Sequence, residues 1–225
     1  MSEQKQSSSR IIESARNISV NIPWECDSSQ RTAKRVFDLL VSSILLLMTF
    51  PLILVVACLV KLTSPGPVFF VQERLGLHGW PFRMYKFRTM TDGKADGSAH
   101  ELMEVTKTDP RLTSIGAFLR ASRLDELPQL LHVVIGEMSL VGPRPDVPQN
   151  EERYTEEQLL RFRMPQGCTT WGVVRGGLAN DWSTRQDINA EYVRDWSFLL
   201  DLKIIVQTFF VLVLQKGTNP DSAEN

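Results

Sequence analysis

The chain has 225 residues, with 25 Lys and Arg, 26 Asp and Glu, and a formal net charge of −1 at pH 7. This balance argues against a general nucleic-acid binder, and the length suits one domain plus a membrane segment. Three distant cysteines and three unpaired histidines predict free thiols in a reducing compartment and no zinc site. The sequence contains no Walker loop, GxGxxG or GxSxG motif.

Residues 1–30 are rich in Ser, Gln and charge, and the first apolar run starts too late for a secretory signal peptide. This composition predicts a disordered N-terminal tail. Residues 31–62 are predicted to enter a membrane. Within them Leu39–Val60 supplies 22 residues, interrupted by two serines, one threonine and Pro51, and about 20 apolar residues suffice to cross a bilayer.

The membrane segment fits two topologies. Its length suits a single span, but basic residues flank both ends, Arg31, Lys34 and Arg35 before it and Lys61 after it. Such flanks favour the cytoplasmic side. A re-entrant helix hairpin broken at Pro51 would keep both ends on one side, because proline removes a backbone hydrogen bond and permits a sharp bend. From the residues alone, both topologies stay open.

Residues 63–217 are predicted to form a compact catalytic domain, followed by a tail at 218–225. Two short strands, Val68–Gln72 and Phe82–Arg88, with glycines between them predict a β-hairpin. The glycine-bearing loop at 91–100 is a candidate cover for a site, or only a connector. The apolar run at the C-terminal end of 196–214 is too short to cross a membrane, so an amphipathic helix is expected, packed on the domain or lying in the interface. The fold class is therefore α+β and mostly helical.

Two adjacent carboxylates, Asp125 and Glu126, precede an apolar helical pattern that ends at Gly136. Ser122 lies three residues before Asp125, which suggests a capping box. An ionised Asp can attack phosphorus to form an acyl phosphate, and both carboxylates together with substrate phosphate would hold Mg²⁺. The alternative is that the pair only caps a helix, which is the commoner role of Asp-Glu at a helix start.

Several arginines near the carboxylates are candidate phosphate ligands, because a guanidinium matches phosphate geometry. Arg144 lies between two prolines in the sequence GPRP at 142–145. The restricted backbone would leave its side chain less entropy to lose on binding, although a rigid turn with a solvent-facing arginine is the alternative. Arg111, Arg120 and Arg123 are the further candidates.

Taken together, the motifs resemble the monotopic polyprenyl-phosphate phosphoglycosyl transferases, bacterial sugar transferases that begin glycan assembly. The resemblance covers residues 34–214 and includes the proline-interrupted apolar segment. In order, the matching motifs are KRVFD, SPGPVFFVQERLG, YKFRTM, DPRLT, LDELPQL, GEMSLVGPRP and SFLLDLKII. With its short tail and no further spans, the chain is similar to the minimal class of this family.

The resemblance implies a two-step, ping-pong reaction. Asp125 would attack the β-phosphate of a UDP-sugar, UMP would leave, and undecaprenyl phosphate would then accept the phosphosugar from Asp125. Glu126 would assist with the Mg²⁺ cofactor and with proton handling, and Arg144 would bind phosphate. The family's substrate-binding positions correspond to Gln72, Arg74, Lys86 and Arg88.

The resemblance also implies the re-entrant topology, with the catalytic domain on the cytoplasmic face of the bacterial inner membrane and the lipid bilayer as a partner. Dimerisation through the membrane helices stays open. The stretch at 165–180 departs from the family pattern, with Gln166 as an apparent insertion, so the choice of sugar stays open. Two alternative functions are a Mg²⁺-dependent phosphatase or pyrophosphatase and a membrane-tethered scaffold whose carboxylates are only caps.

Overall fold

A computed structural model describes residues 20–91, 109–176 and 180–213. The helices are α1 (Pro23–Cys26), α2 (Ser28–Thr63), α3 (Gly116–Ala121), α4 (Gln129–Ile135), α5 (Trp171–Val174), α6 (Trp182–Arg194) and α7 (Phe198–Val213). The strands are β1 (Phe69–Leu75), β2 (Pro81–Phe87), β3 (Ser139–Val141) and β4 (Gly167–Thr169). Short 3₁₀ helices span Leu77–Gly79, Leu124–Glu126, Pro148–Arg153 and Gln158–Arg163. The described chain is mostly helical with small sheets, which confirms the predicted α+β class.

Residues before position 31, which the sequence predicts to be a disordered tail, already belong to the folded domain. Ile22 is fully buried, and the Trp24 ring packs edge-on against Trp196 at 5.1 Å. The Asp27 side chain caps α2 by accepting hydrogen bonds from two backbone N–H groups at 3.0 Å. The predicted tail boundary at residue 30 is therefore wrong, because two apolar side chains in a polar stretch complete the core. Residues 1–19 lie outside the described chain.

Helix α2 is continuous over 36 residues, with Pro51 inside it. The family resemblance implies a hairpin broken at this proline, whereas the residues alone left a single span open. The helix continues through Pro51, since one missing hydrogen bond does not end a helix that its neighbours continue. In the described chain, α2 is the one helix that is long and apolar enough to cross a membrane. Its middle is solvent-exposed, with Leu47 at 78% and Met48 at 73% exposure.

Both ends of α2 are held by the same domain. Near its start, the Lys34 ammonium donates to the Val141 carbonyl at 2.9 Å and pairs with Asp201 at 2.6 Å. Near its end, Val60 is buried in a cluster with Phe87. A helix of this length would measure about 54 Å if straight, at about 1.5 Å per residue. The domain therefore contacts two regions of α2 that are far apart along the sequence.

Strands β1 and β2 form the predicted antiparallel hairpin, with β1 running three residues beyond its predicted end. The register pairs Gln72 with Met84 and Phe70 with Lys86. Because side chains alternate across a strand, Gln72, Arg74 and Lys86 lie on one face of the hairpin. This face is the one that carries the candidate site.

The main core contains side chains from α2, α4, β3, α6 and α7. Helix α7 is amphipathic as predicted: Ile204 is fully buried, whereas Leu199 and Phe209 are 75% and 63% exposed. Trp196 is buried in this core, so its ring is not available to lie at the membrane–water interface. The predicted cover loop from residue 92 onward, three residues of the divergent 165–180 stretch and the tail at 218–225 lie outside the described residues.

Candidate active site

The two carboxylates lie in a tight turn between helices. After α3, Arg123 takes left-handed dihedrals (φ 58°), and the 3₁₀ helix Leu124–Glu126 follows. Pro128 has helical dihedrals and precedes α4, which ends at Gly136 with φ 92°. The predicted helix end at Gly136 is confirmed, and Asp125 and Glu126 sit in the first turn of a helical segment.

The predicted capping box is wrong. The Ser122 hydroxyl donates back to the Phe118 carbonyl at 2.7 Å, so Ser122 closes α3 and does not cap the next helix. Arg123, between Ser122 and Asp125, has left-handed dihedrals. The chain therefore changes direction there, and Ser122 does not have the position that a capping box needs. The carboxylates therefore do not serve as side-chain caps of α4.

The two carboxylates have different environments although they are adjacent in sequence. Glu126 Oε1 accepts a hydrogen bond from Arg144 Nη2 at 2.6 Å, and Arg123 Nη1 lies 3.9 Å from the same oxygen. Asp125 is 8% exposed, and its Oδ1 atom is buried with no hydrogen-bond partner in the described chain. Glu126 is thus paired with a cation, whereas Asp125 keeps an oxygen available for chemistry.

These environments move the two pKa values in opposite directions. Burial, and then the charge of Glu126, raise the pKa of Asp125 from 3.8 to about 6. Burial also opposes ionisation of Glu126, but the Arg144 guanidinium outweighs it and lowers the pKa of Glu126 to about 2. At neutral pH both are ionised, and Asp125 is the more basic and therefore the better nucleophile.

The hairpin brings three predicted substrate-binding residues to this pair. Arg74 is buried and donates to Gln72 Oε1 at 2.9 Å and to the Pro145 carbonyl at 3.0 Å. Burial, followed by the charge of Arg74, lowers the pKa of Lys86 to about 7, while the two carboxylates act in the opposite direction. A cluster of cationic groups therefore faces Asp125 and Glu126, as phosphate binding requires.

Two predicted arginines have other partners. Arg88 Nη2 donates to the carbonyl and hydroxyl oxygens of Ser64, at 2.7 and 2.6 Å, beyond the end of α2. Strand β2 ends one residue before Arg88, so the alternation that would place it beside Lys86 stops there. Arg111 forms an ion pair with Asp109 at 2.6 Å. These contacts do not involve the carboxylate pair, and the substrate-binding roles of both arginines stay predictions.

A buried network behind Arg144 is a feature that the sequence reasoning missed. The Arg161 guanidinium is buried and donates to the Arg144 carbonyl and to Gln186. Asp146, 3.9 Å from Arg161, accepts a hydrogen bond from the Tyr154 hydroxyl at 2.5 Å. The available signal was an arginine inside the apolar run LLRFRM at 159–164. This network holds the backbone of the turn that presents Arg144.

The carboxylate pair fits a Mg²⁺ ion that shares its coordination with substrate. No group of three or more His, Cys, Asp or Glu side chains with metal-binding geometry exists in the described residues. Mg²⁺ in phosphate-transfer sites is usually held by one or two carboxylates plus substrate phosphates and water. Asp125, with its unpartnered buried oxygen, and Glu126 would provide these carboxylates.

The segment that departs from the family pattern begins beside the site. Gln166, the apparent insertion, is fully buried and its amide donates to the Arg161 and Met164 carbonyls, both at 3.0 Å. Burial, and then the charge of Glu126, raise the pKa of Cys168 to about 12. The Gly167 N–H donates to the Pro143 carbonyl at 2.8 Å, which ties the residue before Cys168 to the turn that carries Arg144.

Comparison with known proteins identifies the family of this chain. The family model described as "Bacterial sugar transferase" matches residues 29–215. The sugar transferase EpsL of Bacillus subtilis is 42% identical over 194 residues, which cover 85% of this chain and 94% of EpsL. The chain is also 38% identical over 188 residues to the UDP-glucose:undecaprenyl-phosphate glucose-1-phosphate transferase of Escherichia coli, covering 80% of this chain but 40% of that enzyme.

A similar partial match exists with the undecaprenyl-phosphate glucose phosphotransferase of Komagataeibacter xylinus. It is 42% identical over 186 residues, which cover 78% of this chain and 35% of that protein. This chain thus spans less than half the length of these two glucose-phosphate transferases, and nearly all of EpsL. With the family match covering most of the sequence and including the carboxylate pair, the chain belongs to the bacterial sugar transferase family.

Proposed function

We propose that this chain transfers a sugar-1-phosphate from a UDP-sugar to undecaprenyl phosphate and releases UMP, in a ping-pong reaction through Asp125. The observation that carries the proposal is the asymmetric carboxylate pair. Glu126 is held by Arg144 at 2.6 Å, and Asp125 keeps a buried oxygen without a partner in the described chain. Donor and acceptor classes are those in the names of the E. coli and K. xylinus relatives.

In the first step, an Oδ atom of ionised Asp125 attacks the β-phosphorus of the UDP-sugar. The bond between this phosphorus and the bridging oxygen breaks, UMP leaves with the electron pair, and an acyl phosphate carrying the sugar remains on Asp125. No proton has to leave the nucleophile, because Asp125 is ionised above pH of about 6. Arg74, Lys86 and Arg144 supply positive charge toward the phosphates.

In the second step, a phosphate oxygen of undecaprenyl phosphate attacks the phosphorus of the acyl phosphate. The bond to Asp125 breaks, the carboxylate is regenerated, and the product is a sugar linked to undecaprenyl pyrophosphate. When bound by Asp125 and Glu126, Mg²⁺ would supply charge neutralisation and Lewis-acid polarisation of the phosphate oxygens. Arg144 keeps Glu126 ionised, which preserves it as a metal ligand.

We further propose that α2, although helical throughout, bends at Pro51 and so enters the membrane and returns, with the catalytic domain on the cytoplasmic face of the bacterial inner membrane. Support comes from the single domain that holds Lys34 near one end of α2 and Val60 near the other. The exposed apolar middle, including Leu47 and Met48, would lie in lipid. This arrangement would keep the active site close to the headgroup level, where the phosphate of a lipid acceptor lies.

The two alternative functions are less well supported. A phosphatase would use the same Asp125 but pass the intermediate to water, and it would have no need for an apolar helix next to the site. A scaffold would need the carboxylates only as caps, and neither cap hydrogen bonds nor solvation explains the buried, unpartnered Asp125 oxygen. Membership of a transferase family also disfavours the scaffold.

The test uses purified protein in nanodiscs with Mg²⁺, undecaprenyl phosphate and a panel of UDP-sugars, and measures UMP release with and without the lipid. Multiple-turnover UMP release that requires the lipid, occurs with one sugar and is abolished in Asp125→Asn supports the proposal. Asp195→Asn, at an exposed position that follows α6, is the matched control and should keep full activity. Undiminished turnover in Asp125→Asn would refute the covalent mechanism, and sugar phosphate released into water would indicate the phosphatase.

A further inference from the structure

A second buried group near Asp125 lacks a partner. Gln129, the first residue of α4, is 3% exposed. Its Nε2 atom is buried and has no hydrogen-bond partner in the parts of the chain that the structure describes. Most buried side-chain donors are paired, and an unpaired one lowers stability. A donor in this state is expected to meet an acceptor that belongs to a ligand.

Gln129 follows Asp125 by about one turn of the same helical segment. Leu127 and Pro128, between the 3₁₀ turn and α4, both have helical dihedrals, and the Leu130 N–H donates to the Leu127 carbonyl at 3.1 Å. The chain from Asp125 to Gln129 thus makes a little more than one tight turn, with i→i−3 hydrogen bonds, before α4 begins, so the two residues are about one turn apart on one segment. Asp125 offers an unpartnered acceptor, Gln129 an unpartnered donor, and the two are not bonded to each other.

The segment that carries Asp125 and Gln129 packs against strand β2. One turn beyond Gln129, His132 Nε2 accepts a hydrogen bond from the Tyr85 N–H at 3.1 Å. One turn before Gln129, Asp125 lies within the electrostatic influence of Lys86, the next residue of β2. Gln129 therefore lies between two points at which this segment meets β2. Its buried amide belongs to a segment that packs against the hairpin carrying the cationic side of the site.

We propose that Gln129 is a catalytic residue, whose Nε2–H donates to a non-bridging oxygen of the phosphoryl group that Asp125 attacks. This inference rests on the proposed function, since it concerns the same phosphoryl group. The acceptor is a phosphate oxygen, which any nucleoside diphosphate sugar or pyrophosphate carries. The Gln129 amide would stay bonded to this oxygen in both half-reactions. The same phosphoryl group is transferred first from UMP to Asp125 and then from Asp125 to the acceptor, and its non-bridging oxygens are kept throughout.

The chemistry of an amide suits this position. An arginine or lysine one turn from Asp125 would form an ion pair with it, lower its pKa and occupy the oxygen that has to attack. A neutral amide can orient the phosphoryl group without neutralising the nucleophile. The positive charge needed for the phosphates comes instead from Arg74, Lys86 and Arg144, which face the pair from other elements.

The test compares wild type with Gln129→Met, which keeps the length of the side chain and removes the donor. Gln149→Met, at an exposed amide in the 3₁₀ helix Pro148–Arg153, is the matched control. With Mg²⁺ and UDP-glucose, or the sugar that the panel identifies, rapid-quench measurements give the rate of the first UMP release without lipid. Thermal melting and the pH dependence of this rate are measured on the same samples.

For Gln129→Met we expect a first UMP release slowed about 100-fold, the usual scale for losing one oxyanion donor. Its melting temperature should equal or exceed that of wild type, because a buried unpaired donor is removed. The pH midpoint of the rate should stay in place. A rate within threefold of wild type overturns the inference, and so does a lost rate with a lower melting temperature. An upward shift of the midpoint overturns it too, since the amide would then be acting on Asp125.

A separate arm distinguishes failure of this inference from failure of the proposed function. If wild type releases no UMP from any UDP-sugar, the proposed function fails. Inorganic pyrophosphate with Mg²⁺ is then the probe, and thermal melting is the readout. A stabilisation of wild type that is lost in Gln129→Met supports a phosphate donor at this position. Equal stabilisation of both proteins, or none of either, overturns it.

Discussion

Replacing Asp125 by Asn should make the protein more stable at pH 8 while it removes activity. The buried Asp125 has a pKa raised from 3.8 to about 6, so its ionised form is disfavoured by folding. At 1.36 kcal/mol for each pH unit, that difference corresponds to about 3 kcal/mol. Asn carries no charge, and Asp125→Asn should therefore gain up to about 3 kcal/mol at pH 8.

The sign of the pH dependence follows from the direction of the shift. A raised pKa means that neutral Asp125 favours the folded state below pH 3.8 and that this advantage is lost as the pH rises through about 6. The difference between wild type and Asp125→Asn should thus be largest at pH 8 and vanish near pH 4. For a chain of this size, about 3 kcal/mol raises Tm by about 6–12 °C.

The neighbouring carboxylate provides an internal control with the opposite sign. The pKa of Glu126 is lowered from 4.5 to about 2, so its ionised form stabilises the folded state above pH 4.5 and this contribution is lost as the pH falls through about 2. Glu126→Gln should lose up to about 3 kcal/mol at pH 8, by the same conversion. It would also leave Arg144 without its partner.

The assay is thermal unfolding of both variants and wild type in nanodiscs at pH 8 and pH 4.5, without Mg²⁺ or nucleotide, because a bound ligand would raise Tm by itself. Asp195→Asn, at an exposed position, should match wild type at both values of pH. An Asp125→Asn protein that melts below wild type at pH 8 would refute the reasoning. So would two carboxylate variants that shift Tm in the same direction.

Three further predictions concern catalysis and the attachment of α2. The rate of the first UMP release should rise with pH through about 6, because Asp125 ionises, and should fall above about 7, because Lys86 loses its charge. A pH profile of rapid-quench rates checks this. Arg161→Lys should slow this rate about tenfold or more without moving the lower pH midpoint, because the buried fork that holds the Arg144 carbonyl is lost; an unchanged rate contradicts it. Lys34→Met should cost about 3–5 kcal/mol, because it leaves Asp201 charged and buried, and denaturant unfolding measures the loss.

Local patterns in the sequence predicted much of the fold. Glycines between two β-branched and aromatic runs indicated the hairpin, and Gly136 marked a helix end because it can adopt positive φ. Asp125 and Glu126 were singled out as adjacent carboxylates, and their reactive roles, which the family resemblance implies, stay predictions. The hairpin and the helix end depend on residues that are close in sequence, so composition and spacing are sufficient to find them.

Contacts between distant segments decided the rest. The pairing of Glu126 with Arg144, which gives the two carboxylates different pKa values, joins a turn before α4 to the turn after β3. The network from Arg161 and the buried amide of Gln129 likewise depend on which elements pack together. The role of Ile22 was also decided by packing, since it is buried only as part of a core cluster whose other members are distant in sequence. The sequence by itself determined which chemical groups are available, whereas the tertiary structure determined which of them lose water and meet, because burial and long-range pairing are not encoded in local spacing.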